Sequence, residues 1–240
     1  MLRDVFFYLK KSLTFFDLKV KYLTAVVFLV SLVIYVIAPF VIDLVGTVSQ
    51  RLELEILINL LVYLLVSMIS FVYLSAAIYE AKNVAYTVKD CIRQTKQNFI
   101  MLFIITLLKS PFYLAQNAAL LEFFKYVVWF SPVVLVLLLF FLFSECIILD
   151  SGTSVVKSLI KSGSMTKGKK LRLLFIILFS DIVILYALFM LLGFFIENNN
   201  ENIALLSYAT IFILTIYSLM YYKRLAYLYV DVEYGKAEDQ

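Results

Sequence analysis

Six long apolar runs dominate this chain. They fall in three pairs, and each pair follows a shorter basic amphipathic stretch. The runs cover approximately 23–46, 56–78, 99–121, 126–148, 171–196 and 203–225. Each is near or above the ~20 residues that a helix needs to cross about 30 Å of hydrocarbon. Only six glycines and three prolines occur in 240 residues, so the runs are almost uninterrupted. A membrane β-barrel would instead show alternating strands of about ten residues separated by turns. The pattern predicts an all-α integral membrane fold with six transmembrane helices, each pair preceded by a cytoplasmic amphipathic helix. Composition agrees: 64% of residues are hydrophobic, 16% are charged, and the mean hydropathy is +0.98. A soluble domain of this size could not cover so much apolar surface with so few charges. The third run is the least regular, because Lys109, Pro111, Gln116 and Asn117 interrupt it.

The N-terminal basic stretch is followed by an apolar run too long for the core of a cleavable signal peptide. The first run is therefore expected to remain in the membrane. Charge then sets orientation. Eighteen of the 21 basic residues fall at the N-terminus, between runs two and three, between runs four and five, or at the C-terminal end. The alternate loops carry only Arg51 and Lys125, beside Glu53, Glu55, Glu122, Glu197 and Glu201. Cytoplasmic loops collect Lys and Arg, so six crossings with both termini in the cytoplasm are expected. The basic clusters are expected to meet anionic lipid head groups rather than nucleic acid.

The three pairs read as copies of one unit. Residues 86–109, YTVKDCIRQTKQNFIMLFIITLLK, align without a gap on residues 157–180, KSLIKSGSMTKGKKLRLLFIILFS. Thr95 and Lys96 then fall on Thr166 and Lys167. What repeats is an amphipathic helix, a basic turn and an apolar span. A single domain, 1–240, is expected, with units at about 1–78, 79–148 and 149–230 and a polar tail at 231–240. Each unit starts at an acid: Asp4, Glu80 and Asp150, with Asp231 in the matching place after the sixth run. An acid before a helix can accept the free N–H groups of its first turn, so capping is the expected role, with a catalytic or ion-binding role as the alternative. In the third amphipathic stretch Val155, Val156, Leu159 and Ile160 share one face. Such a helix can lie in the head-group layer or pack beneath the bundle as an elbow, and its recurrence favours the elbow.

Residues 150–174 carry a likeness to a known group. The acid Asp150 and Ser154 precede an amphipathic helix ending at Ser162, then a Thr-basic-Gly-basic turn formed by Thr166, Lys167, Gly168 and Lys169, with Arg172 beyond it. This resembles a stretch in prokaryotic six-span proteins related to the membrane domain of glycerophosphodiester phosphodiesterases. The closing YYKRLAYLYVDVEY is similar to that group's last helix. The resemblance implies the six-span layout. It implies no hydrolase activity, because the catalytic domain of those enzymes uses histidines and this chain has none.

The absence of histidine excludes a histidine base, metal ligand or proton relay. Cys91 and Cys146 match no metal-ligand spacing and read as small apolar residues. No cofactor and no metal are expected. The most specific residues are Lys109 and Asp181, about ten residues into their spans, or roughly 15 Å deep. Alignment of the units brings Ser110 onto Asp181, and Ser31 lies at a similar depth in the first unit. Charge near the bilayer midplane faces the bundle interior or water. Opposite charges at one depth suggest a Lys109–Asp181 ion pair, either as a helix lock or as part of a polar cavity. Asn59, Ser67 and Ser70 are expected to bond to neighbouring helices. Asp43 and Glu145 are expected near head groups or water.

Three functions remain in play. The first is a non-enzymatic membrane protein that moves or senses a small or lipidic ligand through a midplane polar site. The second is a structural or accessory subunit of a transporter or lipid enzyme. A homo-oligomer or a partner subunit fits either. An intramembrane enzyme ranks last, since no catalytic constellation is evident.

Overall fold

A computed structural model describes residues 2–15, 21–45, 51–114, 141–198 and 203–235. Every regular element among these residues is an α-helix. In chain order they are α1 (Leu2–Leu13), α2 (Lys21–Val45), α3 (Arg51–Ala81), α4 (Val88–Gln97), α5 (Phe99–Leu114), α6 (Ser144–Ser151), α7 (Val155–Met165), α8 (Lys170–Asn198) and α9 (Ile203–Tyr234). The three basic amphipathic stretches correspond to the short helices α1, α4 and α7. The first, second, fifth and sixth apolar runs correspond to the long helices α2, α3, α8 and α9. Most of the fourth run, together with Gln116 and Asn117, lies outside the described residues. Among the described residues one helix, Leu57–Ala81 within α3, is long and apolar enough to cross a membrane. Shorter apolar stretches occupy Tyr22–Ile37, Phe99–Ser110 and Phe175–Ile184.

Helices α3 and α9 form the centre. Helix α3 packs against α2, α4, α5, α6 and α9, and α9 against α1, α2, α3, α6 and α8. The core between them is apolar and aromatic, with Phe71, Tyr73, Leu74, Phe143, Ile147, Leu225 and Tyr229 fully buried. On the outside, large apolar side chains face away from the protein along several helices: Leu57, Leu61 and Leu65 on α3, Val26, Leu29 and Val33 on α2, and Ile182, Tyr186 and Met190 on α8.

Local chemistry sets the helix boundaries. Thr87 caps α4 by accepting from Asp90 N–H, while the Asp90 carboxylate accepts from Thr87 N–H at 3.0 Å. This reciprocal pair satisfies two amides that the first turn would leave open. Helix α6 stops at Gly152, whose left-handed φ of 63° returns its N–H to Ile148 O at 2.9 Å. That conformation costs little only for glycine.

The acids expected to cap the short helices sit elsewhere. Glu80 lies in the last turn of α3, Asp150 near the end of α6 and Asp231 in the last turns of α9. Only Asp4 occupies a first turn, that of α1. The long helices run past the hydropathy boundaries and absorb the acids. Thr87, not Glu80, starts α4, and Ser154 precedes α7 without a side-chain cap bond.

The expected face of α7 is also corrected. Val155, Ser158 and Ser162 are turned inward, whereas Val156 and Ile160 are each 65% exposed. Small side chains let α7 approach α6 closely, and Ser162 Oγ accepts the Phe143 N–H at 3.1 Å. That amide stands at the start of α6, where no intrahelical partner exists. A hydrogen-bonding need at a neighbouring helix end therefore overrides the apolar stripe.

Gly152→Ala should cost about 1 kcal/mol through the left-handed backbone. The methyl itself would meet only Asn98 Oδ1, at 3.5 Å, which is ordinary contact. Thermal unfolding of the purified protein in detergent reads the loss. An unchanged unfolding temperature would mean that the turn relaxes freely.

Candidate functional site

Among the described residues Lys109 and Asp181 each form an ion pair, but not with one another. Lys109 on α5 donates from Nζ to Glu145 Oε1 on α6. Asp181 on α8 accepts from Arg224 Nη2 on α9. Lys109 and Asp181 thus each take a partner of opposite sign other than one another. Helices α5 and α6 contact each other, as do α8 and α9. In a low-dielectric interior the closest counter-charge wins, because Coulomb energy falls with distance while desolvation is lost either way.

Two partners were therefore misplaced by the hydropathy boundaries. Glu145 was expected near head groups or water, yet its side chain is only 6% exposed. Lys223 and Arg224, at the end of the sixth apolar run, are each 1% exposed. Helix α9 continues for ten residues beyond Arg224, to Tyr234. The signal was present in the sequence: Leu225, Ala226, Leu228, Tyr229 and Val230 keep the segment apolar after Lys223 and Arg224. Of the other candidate residues, Ser110 is buried and donates to Leu107 O within α5 at 2.8 Å, and Ser31 is buried on α2.

The Asp181–Arg224 pair sits among further polar groups. Tyr217 lies beside the pair, one helical turn before Tyr221 on α9. The guanidinium carbon lies 5.7 Å from the centre of the Tyr221 ring, a cation–π distance. Arg224 Nη1 and Ser180 Oγ are buried with no hydrogen-bond partner. Open donors in a dry interior are costly, so they mark the part of the bundle best suited to hold a water or a polar ligand atom.

A second polar layer gathers the acids at the helix ends. Glu80 accepts from the Tyr227 hydroxyl at 3.1 Å and faces Lys223 Nζ at 3.2 Å. Lys223 also donates to Thr14 O at 2.6 Å. Asp150 accepts from the hydroxyls of Tyr229 at 2.7 Å and Tyr234 at 2.6 Å, and from Lys82. Asp231 accepts from the Tyr8 hydroxyl at 2.7 Å, and Asp4 pairs with Arg172 at 3.0 Å. A carboxylate at a helix C-terminus is disfavoured by the helix dipole, so Glu80, Asp150 and Asp231 persist because hydroxyl and ammonium donors converge on them. Burial alone would raise the Asp150 carboxyl, but the bonds from Lys82, Tyr234 and Tyr229 outweigh it and hold it below its ordinary value. Burial would likewise lower Lys82, and its bonds to Asp150 and Tyr234 reverse the sign.

The family-like motif divides between these layers. Asp150 belongs to the tyrosine cluster, and Ser162 holds the start of α6. Thr166 ends α7, its N–H reaching Ser162 O and Ser164 O. Gly168 turns the chain into α8 with φ 79°. Lys169 and Arg172 line a cleft with Tyr8 and Asp231, while Ser154 and Lys167 remain exposed. Cys91 and Cys146 are buried free thiols, and burial pushes Cys91 up to about 11. Among the described residues no three Cys, Asp or Glu side chains form a metal-ligand group. Comparison with protein-family models, characterised proteins and solved structures finds no match to this chain.

Because the Asp150 carboxyl is depressed in the folded state, its contribution is present above the ordinary value of 3.8. It is lost as pH falls through the folded value. Asp150→Asn should remove that acid-sensitive part and cost about 2 kcal/mol at neutral pH, the scale of a bond to a charged group. Unfolding temperature against pH for both proteins checks it: the two curves should converge on acidification.

Proposed function

We propose that this chain is a non-enzymatic, six-crossing integral membrane protein with both termini in the cytoplasm. In this reading an interior polar site formed by Asp181 and Arg224, with Lys109 and Glu145 nearby, moves or senses a small or lipidic ligand. Three repeated units of one short and two long helices make up its architecture. The cytoplasmic membrane is its location, and anionic head groups meet the basic short helices. The likeness to the membrane domain of glycerophosphodiester phosphodiesterases belongs to the same reading and extends to layout only.

The observation that carries the polar site is the open Arg224 Nη1 beside a satisfied Asp181 bond. A pair that served only to lock helices would use its donors up. Support for the membrane comes from the outward apolar faces of α2, α3 and α8 and from the apolar length of α3. The order of a short helix followed by a long one, at α1–α2, α4–α5 and α7–α8, supports the repeat.

The second reading is a structural or accessory subunit, in a homo-oligomer or with a membrane partner. It is favoured by the mutual neutralisation of the two interior pairs, which needs no ligand.

One variant series separates them. Asp181→Leu or Arg224→Met alone leaves a buried charge without its partner and should cost about 3–5 kcal/mol. The double substitution should recover most of that. Solute or lipid flux in proteoliposomes is then compared for the wild type and the folded double variant. Flux lost with stability recovered supports the polar site. Wild-type flux in the double variant assigns the pair to architecture alone.

Topology has its own check. Both native thiols are buried, so background labelling should be low. A cysteine at Asn83 should label from the cytoplasmic side, and one at Asn200 from outside. Labelling of both from the same side would overturn six crossings with this orientation.

A further inference from the structure

A shallow cleft opens to solvent between α1, the start of α8 and the end of α9. Tyr8, Lys169, Arg172 and Asp231 carry its polar groups, and Leu173 and Ile176 form part of an apolar, buried wall. It is distinct from the interior pair, which lies about two helical turns further along both α8 and α9. The charges here are balanced but not mutually used up. Arg172 pairs with Asp4. Asp231 receives one hydroxyl, that of Tyr8, on a single oxygen. Lys169 is exposed and has no side-chain partner among the described residues. The cleft thus offers a cation and a carboxylate oxygen side by side, next to apolar surface that continues along α8.

An anion alone would gain Lys169 but meet Asp231. A cation alone would meet the reverse. A ligand carrying both signs a few bonds apart satisfies both, and the apolar wall favours one with a hydrocarbon portion. We propose that this cleft binds the zwitterionic phosphoethanolamine headgroup of a phospholipid, with the phosphate on Lys169 and the edge of Arg172 and the ammonium on Asp231. The lipid source rests on the membrane reading above; the headgroup chemistry does not. A water-soluble phosphoethanolamine presents the same two charges without acyl chains.

The test uses the full chain purified in detergent, titrated with short-chain phosphatidylethanolamine, short-chain phosphatidylglycerol, free phosphoethanolamine and inorganic phosphate, with heat as the readout. The ethanolamine lipid should bind more tightly than the glycerol lipid. Asp231→Asn keeps an acceptor for Tyr8, so the fold should hold. It should weaken the ethanolamine lipid about tenfold, as expected for one charge-assisted bond. It should leave the glycerol lipid unchanged or improved. Lys169→Gln, at an exposed position, should weaken both. Equal loss for both lipids in Asp231→Asn, or no effect of Lys169→Gln, would overturn the headgroup assignment. Free phosphoethanolamine binding as tightly as the lipid would overturn the lipid source and leave a soluble zwitterion as ligand. Inorganic phosphate binding as tightly as either would reduce the cleft to a simple anion site and overturn the proposal. None of these outcomes depends on flux or labelling, so the cleft and the six-crossing reading can fail separately.

Discussion

The last three turns of α9 hold the molecule together. They bring Lys223, Arg224, Tyr227, Tyr229, Asp231 and Tyr234 into polar contact with α1, α3, α6 and α8. Helices α3 and α6 end in carboxylates where the helix dipole disfavours them, and α9 supplies donors to both, with Lys223 and Tyr227 on Glu80 and two tyrosine hydroxyls on Asp150, whose counter-charge is Lys82. Its own acid, Asp231, is taken up by Tyr8 of α1. These bonds link residues up to 223 positions apart in sequence. They tie the N-terminal helix, the middle of the chain and the C-terminal helix into one polar layer. Tyrosine suits this role because its ring packs in an apolar core while its hydroxyl reaches a carboxylate at the edge.

The interior pairs follow a different rule. A lone charge in a dry bundle is far costlier than a paired one, so each ionised group takes the nearest opposite charge. Counting along the sequence sets Lys109 and Asp181 at similar positions in their runs, but helix adjacency decides the partner. The same cost explains why Arg224 was hard to recognise from the sequence. A basic residue near the end of an apolar run usually marks the membrane edge. Here the helix continues, and the guanidinium is drawn inward by Asp181.

Much of the helical layout was legible because apolar length is a local signal. Four runs became long helices with ends within a few residues of the expected ones at most boundaries. The clear exceptions are the C-terminal end of α9, extended by nine residues, and the N-terminal end of α3, extended by five. The short helices were legible for the same reason. Which side of each short helix faces the protein was not. On α7 the stripe of Val156 and Ile160 pointed to an inward apolar face, but Ser158 and Ser162 take that place. The deciding interaction, Ser162 with the Phe143 amide, joins residues on two helices and leaves no periodic trace. The ion-pair partners escaped for a related reason. Sequence gives depth along one helix and says little of which helix stands beside it.

The inward serines of α7 have parallels that bear on the elbow. On α1 the inward residues are Val5, Tyr8 and Ser12, and on α4 they are Cys91 and Thr95. Each short helix therefore meets the bundle through at least one small or hydroxyl side chain, which permits close approach and local hydrogen bonding. Ser12 returns its hydroxyl to Tyr8 O at 3.0 Å and so adds no unmet donor to the interface. The outward faces keep both apolar and basic residues, with Phe6 and Lys10 on α1, Ile92 and Arg93 on α4, and Val156 and Lys157 on α7. Such a face is suited to the boundary between hydrocarbon and head groups, where apolar bodies and cationic tips both find partners. Packing of one side of a short helix against the bundle thus leaves its other side available for the membrane contact proposed above.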